Sequence, residues 1–297
     1  MGAEFIVFAD STVDLPPQMA EGLDIQLMPY IFTLDGREYY DHHDYRDMPI
    51  KDFYDALRGG KTATTTQVTI HRFMEAWRPF LEAGKDVLYM SLSSMLSKTH
   101  DQSVLAAREA MEAYPSRKVI AIDTKSASLG QGCLAIKAAH SKKDGKSIEE
   151  TAAFIEETIS RLHVWVMADD LHHLKRGGRI SGAKAVVGTM LNVKPILNII
   201  KNGRLVPVGK VRGRNKAIAH LLERMEEYQF VKNETLFIAH SDDIELAEQM
   251  RELIVQKYGD KDFVINNIGP VIGAHTGPGT VAVMFVGNDN KIEIEDI

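Results

Sequence analysis

The chain has 297 residues, 44% of them hydrophobic and 26% charged, which is the composition of a folded globular protein rather than a disordered or fibrous one. Its net charge of −6 argues against nucleic acid as the main partner, because such partners require a basic face. The single cysteine, Cys133, excludes an internal disulfide and is predicted to be a buried thiol.

The start of the chain and the hydropathy pattern indicate where the protein works. Residues 1–4 have neither the basic region nor the apolar region of a signal peptide. No apolar run approaches the roughly 20 residues that a transmembrane helix needs. With one cysteine only, these features predict a cytoplasmic protein that has no transmembrane segment.

The first half of the chain alternates short apolar runs with amphipathic stretches. Strands are predicted at residues 4–9, at 86–90, at 118–122 and as a pair within 25–40, with helices at 50–58, 71–82, about 99–114 and from 147. This alternation predicts a parallel sheet covered by helices on both faces. Asp14 is expected to cap a helix that begins with Pro16 and Pro17. The hydroxyl-rich residues 61–69 show no helical period and are expected to form a loop.

The pattern changes past about residue 162. Strands are predicted at 164–167, 196–200, 204–208, 235–239, 263–265 and 280–285, with helices at 216–228 and 245–258. Lys201-Asn202-Gly203 is typical of the turn in a hairpin. The sequence therefore predicts an α/β protein of two domains. Residues 1–162 would form a three-layer parallel-sheet domain, and residues 163–297 an α/β domain with a mixed or antiparallel sheet.

Two glycine motifs resemble nucleotide-binding loops without meeting their requirements. The Gly-x-Gly-x-x-Ala pattern at residues 130–135 comes about seven residues after a strand, whereas a dinucleotide loop follows its strand directly. Close helix packing is therefore the preferred interpretation. Gly145-Lys146-Ser147 resembles the end of a phosphate-binding loop, but His140 occupies the position of the required glycine.

A metal site is not favoured by the histidines. His42-His43 and His172-His173 are adjacent pairs, and neighbouring side chains on a helix point in different directions. A His-Glu-x-x-His motif is also missing from the sequence.

A serine nucleophile is a second possibility for function. Ser93 or Ser94 would attack, with His275 as the base, in an esterase or acyl hydrolase, although the Gly-x-Ser-x-Gly elbow is missing. The hydroxyls of Ser97 and Thr99 can instead cap the helix that follows. The residues alone leave the nucleophile and the capping interpretations open. They also leave open a phospho-ligand site built on the glycine-rich stretches at 177–182 and 269–279.

Seven short segments, in this order, carry a family resemblance. They are residues 10–15, 64–67, 93–99, 174–182, 194–197, 210–212 and 269–279. Over nearly the whole chain they resemble the DegV family of bacterial fatty-acid-binding proteins. Two segments depart from the family pattern: Thr-Ser-Gln-Pro is here Thr65-Thr66-Gln67-Val68, and Ser-Gly-Thr-Tyr is here Ser97-Lys98-Thr99-His100.

The resemblance implies that a long-chain fatty acid, of roughly C14–C18, lies between the two domains and that no cofactor is bound. It implies a lipid-binding subunit that is not itself catalytic and that presents the acyl carboxylate to the separate ATP-binding subunit of a fatty acid kinase. The implied carboxylate ligands are Thr64, Thr65, Ser93, Ser94 and His275. Arg179 and Arg212 are implied to orient the head group or to dock the kinase.

Overall fold

A computed structural model of the protein describes residues 4–169, 171–180, 192–288 and 291–293. Its first sheet has four parallel strands in the order β2-β1-β6-β7. These strands are β1 (Phe5–Asp10), β2 (Ile25–Met28), β6 (Asp86–Ser91) and β7 (Val119–Asp123). β1 and β6 are buried along their whole length, which explains why they are continuous apolar runs.

Six helices accompany the first half of the chain. They are α1 (Pro17–Gly22), α2 (Ile50–Arg58), α3 (Ile70–Glu82), α4 (Thr99–Ala113), α5 (Leu129–Lys143) and α6 (Ile148–Arg161). α3 packs on α4, and α5 packs on α6, so that two helical layers enclose the parallel sheet as predicted. A capping box formed by Ser147 and Glu150 opens α6, which begins where the sequence predicts a helix.

The second sheet is mixed and has the strand order β10-β9-β8-β13-β11-β12. Its strands are β8 (Leu162–Met167), β9 (Val193–Ile199), β10 (Leu205–Arg212), β11 (Leu236–His240), β12 (Phe263–Asn267) and β13 (Val281–Val286). Every neighbouring pair is antiparallel except β11 and β12. The mixed sheet and the hairpin between β9 and β10 are both confirmed.

Four further helices lie among the described residues of this half of the protein. They are α7 (His172–Gly177), α8 (Arg214–Glu227), α9 (Ile244–Tyr258) and α10 (Pro270–Thr276). α8 and α9 bury their apolar faces against one side of the mixed sheet, around Trp165 and Phe285. α10 lies elsewhere and contacts α7 and α2.

Helix α5 is buried between the two sheets and contacts strands of both. A Cβ atom at Gly130 would lie 3.0 Å from Val164 Cγ2, and one at Gly132 would lie 2.7 Å from Leu15 Cδ2. The glycine pattern therefore serves close packing, as preferred from the sequence. Cys133, on the same helix, is buried, and burial raises the pKa of its thiol to about 12, so that it stays protonated.

Three local predictions were wrong. Residues 61–69 are not a simple loop, because β5 (Ala63–Thr66) pairs antiparallel with β3 (Ile31–Leu34). β4 (Arg37–Tyr40) completes this small third sheet on the other side of β3. The segment 25–40 consequently contains three strands instead of two.

Asp14 does not cap α1, whose first turn follows Pro16. Asp14 instead ends a short 3-10 helix at Ser11–Val13, with a left-handed backbone, and its carboxylate is buried. The predicted division into domains at residues 162 and 163 stays a prediction, since one hydrophobic cluster includes residues of both large sheets. Within the described ranges, no helix combines the length and apolar composition needed to cross a bilayer.

Candidate functional site

A cavity of about 380 Å³ lies between the parallel sheet and the mixed sheet, within the size range of small-molecule sites. Its wall is mainly apolar. The apolar residues are Leu92, Leu96, Ala127, Val164, Val166, Leu174, Ile199, Leu205, Ile268, Val271, Ile272, Ala282 and Met284. The polar residues are Tyr30, Thr65, Thr66, Gln67, Ser97, Lys98, Ser128, Arg179, His275, Thr276 and Thr280. Thr66, Gln67 and Lys98 are exposed, so they mark the opening.

Thr65 and His275 form the centre of the polar end. Thr65 Oγ1 lies 3.0 Å from His275 Nε2, which joins β5 to α10. Burial first, and then the charges of Arg179 and Arg176, lower the pKa of His275 to about 4. The imidazole is therefore neutral at physiological pH.

The other ring nitrogen of His275 faces Gly177 at the end of α7. A Cβ atom at Gly177 would collide with His275 Nδ1, so the glycine makes room for the ring. His275 Nδ1 is buried and finds no hydrogen-bond partner among the residues that the structure describes. Because an orphaned buried N–H is rarer than an orphaned acceptor, we place the proton on Nε2, where it can donate toward Thr65.

Ser97 brings a second hydroxyl to the same end. Its Oγ donates to Thr99 Oγ1 over 3.1 Å, accepts from Thr99 N over 3.2 Å, and lies 3.2 Å from the hydroxyl of Tyr30. The contact with Thr99 N agrees with the capping interpretation of Ser97. The hydroxyl of Thr99, by contrast, accepts a hydrogen bond from Val68 N and thereby ties α4 to the end of β5.

Two cations line the cavity near these hydroxyls. Arg179 donates from Nε to the carbonyl of Leu96 over 3.2 Å and from Nη1 to the carbonyl of Gly177 over 2.6 Å. These bonds fix the guanidinium plane and leave other N–H groups for a ligand. Lys98 is mostly exposed and pairs with Asp101 at 3.2 Å.

Buried carboxylates hold α10, and with it His275, in place. Asp14 Oδ1 accepts from Gly269 N over 2.9 Å, and Asp41 accepts from Ser11 Oγ over 2.9 Å and from the backbone N–H of Val271. Burial, opposed in part by these bonds, raises the pKa of Asp41 to about 7 and that of Asp14 well above its usual value. Among described residues, no group of three or more His, Cys, Asp or Glu could hold a metal ion.

The arrangement of sheets and cavity can be compared with known proteins. The family model described as "Uncharacterised protein, DegV family" matches residues 4–288 of the chain. The chain belongs to the DegV family. A DegV domain-containing protein of Clostridium perfringens is 43% identical over 289 residues, which cover 97% of this chain and 99% of that protein.

Solved structures of the family show the same fold. One is a DegV family protein from Thermus thermophilus that is described by its fatty acid binding. It is 31% identical to this chain, the TM-score is 0.86, and the match covers 96% of this chain and 99% of that one. DegV from Bacillus subtilis, described as a fatty acid binding protein, is 29% identical with a TM-score of 0.82, over 97% of this chain and 100% of that one. The α/β fold predicted from the sequence is confirmed.

The residues that the DegV resemblance implied for the site fall into three groups: those that line the cavity, those that are exposed, and those that have other partners. Thr65, His275 and Arg179 line the cavity together. Thr64 is exposed on the strand beside Thr65, and Arg212 is exposed on β10; neither lines the cavity. Their assigned roles stay predictions. Ser181 and Gly182, part of the glycine-rich segment, lie outside the described residues.

Ser93 and Ser94 have other partners. Ser93 Oγ donates to the carbonyl of Gly203 over 2.8 Å, and Ser94 Oγ donates to Asp123 Oδ2 over 2.6 Å. Neither lines the cavity, and His275 Nε2 contacts Thr65 rather than either serine, so this geometry gives the esterase hypothesis no support. The sequence offered Ser97 as a cap only, and its place in the cavity depends on how the loop turns.

Proposed function

We propose that this protein binds a long-chain fatty acid in the cavity and presents its carboxylate to a separate ATP-binding kinase subunit. The observation that carries the proposal is one apolar cavity whose hydrogen-bond donors converge at the end that opens to solvent. Relatives of the same family that are about 30% identical are described as fatty acid binding proteins. The kinase step rests on the family resemblance and on the geometry of the open end.

The apolar wall accounts for affinity. Burial of about 15 methylene groups, each contributing about 0.8 kcal/mol, gives roughly 12 kcal/mol before the costs of binding are subtracted. A tail of roughly C14–C18 is therefore sufficient to hold the ligand without a strong contact to the head group. The protein needs no cofactor for this role.

The head group would lie among Thr65, Ser97 and His275. A carboxylate that leaves water must find replacement donors, and the hydroxyl of Thr65 can provide one, as can that of Ser97 once it turns from Thr99 Oγ1 toward the ligand. If Nε2–H donates to Thr65 Oγ1, the Thr65 hydroxyl is free to donate its own proton to the ligand. Arg179 adds positive charge beside this group while its plane is held by backbone carbonyls.

Neutral donors suit a carboxylate that must react afterwards. In the kinase step a carboxylate oxygen attacks the γ-phosphorus of ATP, the bond to the ADP oxygen breaks, and an acyl phosphate forms. The kinase subunit supplies ATP, and this chain supplies an oriented nucleophile at an open cavity end. Exposed Arg212 stays a candidate for docking that subunit.

The class of ligand is tested by solvent extraction of the purified protein and mass analysis of the extract. A co-purifying fatty acid is the expected result. Protein that is free of lipid and takes up no added fatty acid would refute the proposal. Phosphorylation is tested separately by adding the kinase subunit and ATP and by trapping acyl phosphate with hydroxylamine.

The assignment of the head-group donors is tested by the double variant Thr65→Val with Ser97→Ala. It should lower fatty acid affinity by tenfold or more while the fold persists, because a carboxylate hydrogen bond contributes about 1.5–3 kcal/mol. Ser94→Ala is the matched control, since Ser94 donates to Asp123 outside the cavity. A larger loss of affinity in the control than in the double variant would mean that Ser94, rather than Thr65 and Ser97, binds the carboxylate.

A further inference from the structure

Strand β13 runs along the cavity from its polar end to its far end. Thr280, directly before this strand, and then Ala282 and Met284 within it all line the wall, as alternate residues of one strand face should. Thr280 Oγ1 donates to the carbonyl of Thr276 over 3.2 Å, which places this end of the strand beside His275. Thr280 therefore lies toward the polar end, and Met284 lies at the far end.

The far end is closed by a row of side chains across four strands. Met284 is paired in register with Val164 of β8, and Leu205 of β10 is paired with Ile199 of β9. All four line the cavity, and Met284 is 1% exposed. Behind them, a Cβ atom at Gly130 would lie 3.0 Å from Val164 Cγ2 and 3.5 Å from Met284 Cγ, so the backbone of α5 presses directly on this row.

The sizes of the side chains along β13 then determine how long an acyl tail the cavity can hold. Ala282 has no atoms beyond Cβ and leaves the middle of the cavity wide. Met284 is long and unbranched, and such a side chain fills the space at the far end. From Thr280 to Met284 the strand rises roughly 14 Å at about 3.4 Å per residue. An extended alkyl chain advances roughly 2.5 Å per two carbons, so about eleven carbons of a C14–C18 tail cover that span, and the carbons nearest the carboxylate lie before Thr280.

We infer that Met284 sets the upper limit of acyl chain length and that Ala282 keeps the path to it open. This inference deepens the proposed function and rests on it. Truncation at Met284 removes the sulfur and two carbons beyond Cβ, which frees room for roughly two more carbons of tail. A larger residue at Ala282 obstructs the path before the tail reaches the end.

The test is competition among saturated fatty acids from roughly C12 to C20, offered in equal amounts to delipidated protein, with mass analysis of the bound fraction. For Met284→Ala, the longest acid that is retained should increase by about two carbons. For Ala282→Leu, retention should move to shorter acids. Met167→Ala is the matched control, because Met167 is a buried methionine of the same sheet that faces the other hydrophobic cluster.

The outcomes separate this inference from the function on which it rests. Wild-type protein that retains no acid refutes the proposed function and the inference together. Wild-type protein that retains acids, combined with an unchanged length profile in folded Met284→Ala, overturns the inference alone. If Met284→Ala does not fold, Ala282→Leu decides: a shift to shorter acids supports the inference, and an unchanged profile overturns it.

Discussion

His275 Nε2 lies 3.0 Å from Thr65 Oγ1, across 210 residues of sequence, and this contact connects helix α10 to the small three-stranded sheet. The two side chains come from different layers of the fold, so each depends on the other for its position at the cavity end. The imidazole makes this contact in its neutral form, since protonated His275 would carry a buried charge near Arg179.

Acid is expected to destabilise the protein through His275. Its pKa falls from 6.5 to about 4 on folding, so the folded state resists protonation. The stability linked to this group is complete above the unfolded pKa of 6.5 and is lost as the pH falls toward 4. The loss amounts to about 3 kcal/mol at most. Urea unfolding of wild type and His275→Gln between these pH values measures it.

The comparison isolates His275 because the other titrating groups are the same in both proteins. The difference in unfolding free energy between wild type and His275→Gln should shrink as the pH is lowered from 6.5 to 4. A difference that stays constant over this range would contradict the lowered pKa.

Asp41 should have the opposite pH dependence. Burial raises its pKa from 3.8 to about 7, so the folded state favours the protonated form. Its contribution to stability is complete below the unfolded pKa of 3.8 and is lost as the pH rises through 7. Asp41→Asn keeps an acceptor for Ser11 but cannot ionise. The variant should gain melting temperature relative to wild type at pH 8 but not at pH 4.

Thermal unfolding at both pH values checks this expectation. Asp35→Asn is a suitable control, because Asp35 is exposed and pairs with the exposed Lys61. Equal effects of Asp41→Asn at pH 4 and pH 8 would show that Asp41 is not the group that titrates.

Sequence reasoning succeeded where burial dictates composition. β1 and β6 are covered on both faces, so residues 5–9 and 87–90 form almost wholly apolar runs and the strands are evident from the residues alone. It failed where a distant partner decides the structure. β5 is a strand because β3 lies beside it, and the hydroxyl pattern of residues 63–66 contains no sign of that partner. Asp14 likewise resembles a helix cap locally, whereas Gly269 and Ser128 are its partners.

The candidate site was likewise predictable from the sequence only in part. Hydroxyl-rich loops and His275 could be named from sequence, but which serine of the segment 93–97 lines the cavity could not. Ser93 is turned toward the β9–β10 hairpin by the carbonyl of Gly203, and Ser94 is turned away by Asp123. Those two contacts leave Ser97 at the cavity, and both depend on residues that lie far along the chain.

Gly132→Ala should destabilise the protein without changing its ligand. The added Cβ would lie 2.7 Å from Leu15 Cδ2 and 2.8 Å from the backbone carbonyl of Val13, and backbone cannot move as easily as a side chain. Overpacking of this kind costs about 1–3 kcal/mol. Denaturant unfolding measures the loss, and the profile of bound fatty acids should match that of wild type, because Gly132 does not line the cavity.

Gly177→Ala is expected to weaken ligand binding through His275. The new methyl group would collide with His275 Nδ1, so the ring must rotate or shift, and the 3.0 Å contact with Thr65 would be lost. If one charge-assisted hydrogen bond to the carboxylate is lost with it, affinity should fall by about tenfold or more. Titration of delipidated protein with fatty acid measures this change. Gly22→Ala is the control, because a Cβ there meets nothing within 4 Å. Equal affinities of the two variants would mean that the position of His275 does not matter for the carboxylate.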